Sequence, residues 1–136
     1  MNKVEHIGIA VKNLKNSEQI FQDILGVPSY KMEKVESENV NTLFFQLGET
    51  KIELLEATSE DSPIAKFIEK KGEGMHHVAF HVDDIQAKID ELKEKGYRMI
   101  HDMPKNGADD KIIAFMHPKS SNGVLVELCA DKPKDQ

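Results

Sequence analysis

The sequence contains no tryptophan, one cysteine and five prolines in 136 residues. A single cysteine excludes an internal disulfide and a cysteine-rich zinc site. Cys129 ends the apolar run GVLVELCA, where cysteine acts as a small hydrophobe, and no helix start or basic cluster adjoins it to activate the thiol. No apolar stretch approaches the roughly 18–20 residues of a transmembrane helix. The opening MNKVEHIGIAVKNL interrupts with an acid and a histidine the apolar core that a signal peptide needs. A cytoplasmic protein without a membrane partner is therefore expected. Basic residues are also in deficit, 18 against 24 acidic, for a net charge of −6. That balance excludes a nucleic-acid surface. An anionic small substrate has to be held locally, by lysines or by a metal.

What the chain does have is a motif that occurs twice. His6 opens HIGIAVKNL and His77 opens HVAFHVDDI. Each is followed by a glutamate inside an apolar strand pattern, Glu53 in KIELLE and Glu127 in GVLVEL. The glutamates lie 47 and 50 residues after their histidines. Two half-domains that each supply one His and one Glu can place four ligands around one divalent metal.

The pattern between these residues repeats as well. Residues 3–12 alternate as a strand, and NLKNSEQIFQDILG carries Leu14, Ser17, Phe21, Ile24 and Leu25 at helical spacing. Asn13 or Asn16 can cap this helix and Gly26 can close it. Strands are predicted near 28–36, 40–47 and 50–57, the last two joined by the turn LGET. A linker helix, about 62–72, starts at Pro63 and shows an Ile64, Phe67, Ile68 stripe. The second half repeats the plan with strand MHHVAFHV, a helix capped by Asp84 and stopped at Gly96, and strands near 97–101, 111–117 and 123–130. MPKNGADD reads as a polar, mobile loop. The expected fold is α+β, a single domain over 1–136. Two paired β-α-β-β-β modules, about 3–57 and 75–130, form a cupped mixed sheet with the two long helices on its outer face. A unit of about 60 residues buries too little surface alone, so the modules should share a core.

Strand parity then selects the site. Ile7, Ile9 and Val11 share one face, suited to packing under the helix, while His6, Gly8 and Ala10 face away. Val78, Phe80 and Val82 match the first set, and His77, Ala79 and His81 the second. Glu53 and Glu127 sit between apolar neighbours, and burying an unpaired carboxylate there costs several kcal/mol. Two imidazoles and two carboxylates on the non-helical face answer that cost by holding a metal: His6, Glu53, His77 and Glu127. By the same parity His76 is structural and His81 lies where it can touch substrate. His117 shapes a turn, Asp83 and Asp84 are capping residues, and His101 has no assigned role.

HIGIAVKNL, LGETKIELLE, SPIAKFIEKKGEGMHHVAFHVDDI and AFMHPKSSNGVLVEL together resemble the vicinal oxygen chelate superfamily and, within it, the methylmalonyl-CoA epimerase family over nearly the whole length. That resemblance implies the same four metal ligands, and it favours Co2+, with Ni2+, Mn2+ or Zn2+ as other occupants. It also implies a homodimer and an acyl-CoA substrate of propionate metabolism. Some epimerases carry a glutamate base on the strand before the second ligand; the matching position here is Thr42, with Phe44 and Gln46 on its face. The expected activity is metal-dependent epimerisation at C2, by proton removal and return through an enolate. Glu127 and Glu53 are the candidate bases, and Lys105, Lys111 and Lys119 the candidate contacts for the CoA tail. A glyoxalase-type lactoylglutathione lyase would use a similar His/Glu/His/Glu site. An extradiol dioxygenase would leave one glutamate idle, and a metal-free binding protein of this fold would not need all four.

Overall fold

The computed structural model describes residues 2–133, so the outermost ends of the 1–136 span lie outside the described residues. Residues 6–76 form one compact unit; residues from His77 onward, with the first residues of the chain, form another. Both combine a mixed sheet with helices, the α+β class expected.

In the first unit the strands are β1 (Lys3–Ala10), β2 (Lys31–Val35), β3 (Val40–Leu47) and β4 (Thr50–Ala57), and the helices are α1 (Leu14–Leu25) and α2 (Pro63–Lys71). The strand order is β2-β3-β4-β1. β4 runs antiparallel to β3 and parallel to β1, whose return is made through α1 and the β2–β3 hairpin. α1 begins where Asn13 accepts a hydrogen bond from the Asn16 amide, and Gly26 closes it at φ 73°. Glu56 of β4 accepts from the Leu14 amide at 2.8 Å, tying the start of the helix to the sheet. Its apolar stripe packs as parity requires: Leu14, Phe21 and Leu25 meet Ile9, Val11, Leu43, Phe45, Ile52 and Leu54.

α2 packs on the opposite side of the same sheet. Ser62 caps it by accepting from the Ile64 amide, and Pro63 occupies the first turn. Ile64, Phe67 and Ile68 cover Ala10, Val40, Leu55 and Ala57. The segment that reads as a linker therefore closes one end of the face that carries His6 and Glu53.

The second unit holds β5 (Gly74–His81), α3 (Ile85–Glu94), β6 (Lys105–Asn106), β7 (Lys111–Phe115) and β8 (Val126–Asp131), in strand order β5-β8-β7-β6. Asp84 caps α3 by accepting from the Ala87 amide. Ile85, Ile89 and Leu92 pack on Val82, Ile112, Ala114, Leu128 and Ala130. Asp83 is not a cap; it accepts a 2.8 Å hydrogen bond from the Asn2 side chain.

One strand expectation fails. Residues 97–101 make only the single bridge Met99–Met116. Their backbone groups are divided among several partners: the Arg98 amide donates to Ser120 Oγ and the Ile100 amide to the Phe115 carbonyl. No ladder forms. The edge strand appears instead as β6, inside the segment that reads as a mobile loop, because Asp109 and Asp110 adopt φ 57° and 58° and turn the chain tightly back into β7. Acidic residues tolerate that left-handed conformation better than most. Among the described residues no helix is long and apolar enough to cross a membrane.

Candidate functional site

In the first unit His6, on β1, lies with its Nδ1 3.2 Å from Glu53 Oε2 on β4. In the second, His77 Nε2 on β5 lies 3.0 Å from Glu127 Oε1 on β8. All four side chains are buried, between 3% and 7% exposed. Two donors each about 2.1 Å from one ion, at right angles, stand about 3 Å apart, so each pair has the spacing of neighbouring ligands on an octahedral metal. Neutral imidazole nitrogen and carboxylate oxygen are also donors that borderline divalent metals accept. The residues fit the group.

The two pairs are built the same way. Glu53 stands in register with Gly8 on one side and Phe44 on the other. Glu127 stands in register with Ala79 on one side and Phe115 on the other. In each case the histidine lies two residues before the small residue, hence on the same face. A side chain of minimal volume beside the glutamate leaves its carboxylate free to reach diagonally to the imidazole. The phenylalanine screens the far side; Phe115 meets the His77 ring edge-on at 5.6 Å.

The remaining expected residues divide. Thr42 is buried at 2% exposure, in register with Leu55 and Glu33, with Phe44 and Gln46 further along the same face. His81 lies on the face of His77 and makes a 3.3 Å contact from Nδ1 to the Asn2 side chain. His76 packs edge-on against Phe67 of α2 at 5.0 Å, a structural role. His117 shapes the turn at Pro118–Ser120, accepting from the Lys119 amide. Cys129 is fully buried beside Ala79 and Ile113. Lys111 is engaged by Asp131 at 2.5 Å, and Lys111's hydrogen bond and charge hold the Asp131 carboxyl below the usual aspartate value. Lys105 lies on β6, half-buried, and Lys119 is exposed.

Two features escaped the sequence reading. His101 sits against Phe115, its Nδ1 accepting from the Phe115 amide at 3.1 Å with ring centroids 5.9 Å apart. Only long-range pairing brings it there, so no local signal marked it. Lys51 is 5% exposed on the face of Glu53, in register with His6. The parity rule that selected Glu53 would have found it two residues earlier.

The model of the Glyoxalase/Bleomycin resistance protein/Dioxygenase superfamily matches residues 5–115. The mitochondrial methylmalonyl-CoA epimerase of Mus musculus is 40% identical over 129 residues, covering 94% of this chain and 72% of that protein. The ethylmalonyl-CoA/methylmalonyl-CoA epimerase of Cereibacter sphaeroides is 40% identical over 130 residues, covering 94% and 97%. A solved structure of Streptomyces coelicolor methylmalonyl-CoA epimerase, in complex with 2-nitronate-propionyl-CoA, superposes with a TM-score of 0.92 at 32% identity, covering 98% of this chain and 97% of that one. The chain belongs to the glyoxalase/bleomycin resistance protein/dioxygenase superfamily and, within it, to the methylmalonyl-CoA epimerase family.

Proposed function

We propose that this enzyme is an isomerase that interconverts the R and S forms of methylmalonyl-CoA at C2. The observation that carries the reading is the twice-built pair: a buried histidine about 3 Å from a buried glutamate, at one register offset, in both units. The names and near full-length similarity of its relatives supply the substrate class. We take the 1–136 span as one domain, acting as a cytoplasmic homodimer.

In this reading His6, Glu53, His77 and Glu127 hold one divalent ion, with Co2+ the first choice and Ni2+, Mn2+ or Zn2+ alternatives. When bound, the ion would supply Lewis acidity toward the thioester oxygen, where the charge of the enolate develops. The histidines fix the site through neutral imidazoles. Glu127 takes the proton from C2 on one face, and Glu53 returns one on the other. Thr42 cannot act as a base, which leaves the acid–base work to these two glutamates. The apolar walls, Phe44 and Phe115, exclude the water that would compete for the carbanion. Lys105, Lys111 and Lys119 are the proposed contacts for the CoA tail.

The test is incubation with methylmalonyl-CoA in deuterated water, with and without chelator. Exchange at C2 that vanishes with chelator and returns with Co2+ supports the reading. Absence of exchange in the metal-loaded protein refutes it.

A further inference from the structure

The register repeat contains its own control, and at one position the two halves disagree. The residue in register with His6 is Lys51. Two residues before Glu127, where the second copy would place its counterpart, stands Leu125, its carbonyl accepting from the Val78 amide next to His77. An apolar side chain therefore satisfies this place in the fold, and the strand geometry does not demand a cation there. Yet Lys51 is 5% exposed, a burial that lysine almost never reaches without a specific reason. Its Nζ lies over the Phe44 ring at 5.9 Å from the centroid. Phe44 is also the residue in register with Glu53. A second ammonium, Lys31, approaches the same ring at 5.5 Å and pairs with Glu33 at 3.2 Å. The ring face offsets part of the desolvation cost of a buried cation, and holds Lys51 on the face of His6 and Glu53.

We propose that Lys51 is the receptor for the free carboxylate of the malonyl headgroup, the group that distinguishes a malonyl thioester from a simple acyl thioester. The inference deepens the proposed reaction and rests on it. A buried ammonium beside the reacting centre binds an anionic headgroup by a charge-assisted hydrogen bond in a medium of low dielectric. It also orients the acyl unit, so that C2 presents its two faces to the glutamates. Lysine suits the task because its compact charge fits one carboxylate oxygen without the wide fork of arginine. The bland role, balancing the charge of Glu53, predicts a change in metal affinity with no change in ligand discrimination.

The experiment compares malonyl-CoA with propionyl-CoA, which carries a methyl group where malonyl-CoA carries the carboxylate, by isothermal titration at saturating Co2+. Wild-type protein should prefer malonyl-CoA. Lys51→Met should weaken malonyl-CoA by about 10–100-fold, the scale of one hydrogen bond to a charged group, and leave propionyl-CoA nearly unchanged. Lys51→Gln is the second variant if the first does not fold, with the same expectation, and Lys51→Arg should restore part of the preference. An unchanged preference in either neutral variant, or equal weakening of both ligands, overturns the role of Lys51 alone. Wild-type protein that binds neither CoA ester overturns the reaction and this inference together.

Discussion

Ala79 stands in register beside Glu127, fully buried, and presents only a methyl group on the face where His77 Nε2 lies 3.0 Å from the Glu127 carboxylate. The diagonal contact from Glu127 to His77 depends on that vacancy. An Ala79→Leu change keeps the strand pattern but fills the space, an overpacking that costs about 1–3 kcal/mol. The protein should still fold, with a lower melting temperature, and lose activity out of proportion to the stability lost. Urea titration beside a turnover assay measures both. Full activity in Ala79→Leu would mean the carboxylate does not need this approach.

Removing the imidazoles tests the metal directly. His6→Ala and His77→Ala should each lower bound metal and activity in parallel, and the double variant should bind none after dialysis. Elemental analysis of the dialysed proteins gives the stoichiometry. A double variant that keeps one ion per chain is incompatible with the assignment.

The two glutamates should separate on isosteric replacement. Glu127→Gln keeps an oxygen ligand and loses basicity, so metal content should hold while turnover falls by about 10²–10⁴-fold, the usual scale for a general base. Glu53→Gln is the sharper comparison. A wild-type rate with full metal would leave Glu53 a ligand only, and the second base would then be sought at His81 on the face of the second unit.

Acid should loosen one specific edge of the second unit. Lys111, by its hydrogen bond and its charge, holds Asp131 below the ordinary aspartate value of 3.8. A depressed carboxyl contributes stability above its unfolded value and loses it as pH falls through the folded one. The loss is therefore expected below about pH 4. Asp131 is 72% exposed, so screening holds the contribution under about 1 kcal/mol. Asp131→Asn should lower stability by up to that amount at neutral pH and leave it nearly unchanged in acid, which flattens the acid limb of the stability curve. An acid limb identical to wild type would show that the pair does nothing measurable.

Much of this architecture was readable because it rests on local periodicity. Asn13, Gly26 and Asp84 punctuate α1 and α3, whose apolar stripes pack on the strand face opposite the histidines and glutamates, while Ser62 with Pro63 starts α2, which packs on the other face. His6, Glu53, His77 and Glu127 emerged from the same parity. The failures share a different cause. Tyr97–His101 carries strand-forming residues, but the Tyr97 amide turns back to Leu92, and the hydrogen bonds of Arg98 and Ile100 go to Ser120, His117 and Phe115, partners that no local window contains. β6 depends on two aspartates in a left-handed conformation, and His101 reaches Phe115 only after that turn is made. Lys51 is another case: parity would have placed it on the face of Glu53, but charged residues on strands ordinarily face water, and it drew no assignment.

The two halves separate their donors by different lengths of chain, 47 residues in one and 50 in the other, yet arrive at the same two-residue diagonal between His and Glu. Chain length between the donors is therefore unconstrained, and only its remainder on division by two, counted within the strands, is held. Residues added in the connection 36–39 between β2 and β3 leave the faces of both strands as they are. One codon gained inside β4 ahead of Glu53 turns the carboxylate to the helix side and brings Ile52 to the histidine. A gene of this kind tolerates length variation as a text tolerates spacing between words, and fails on a single letter slipped inside one.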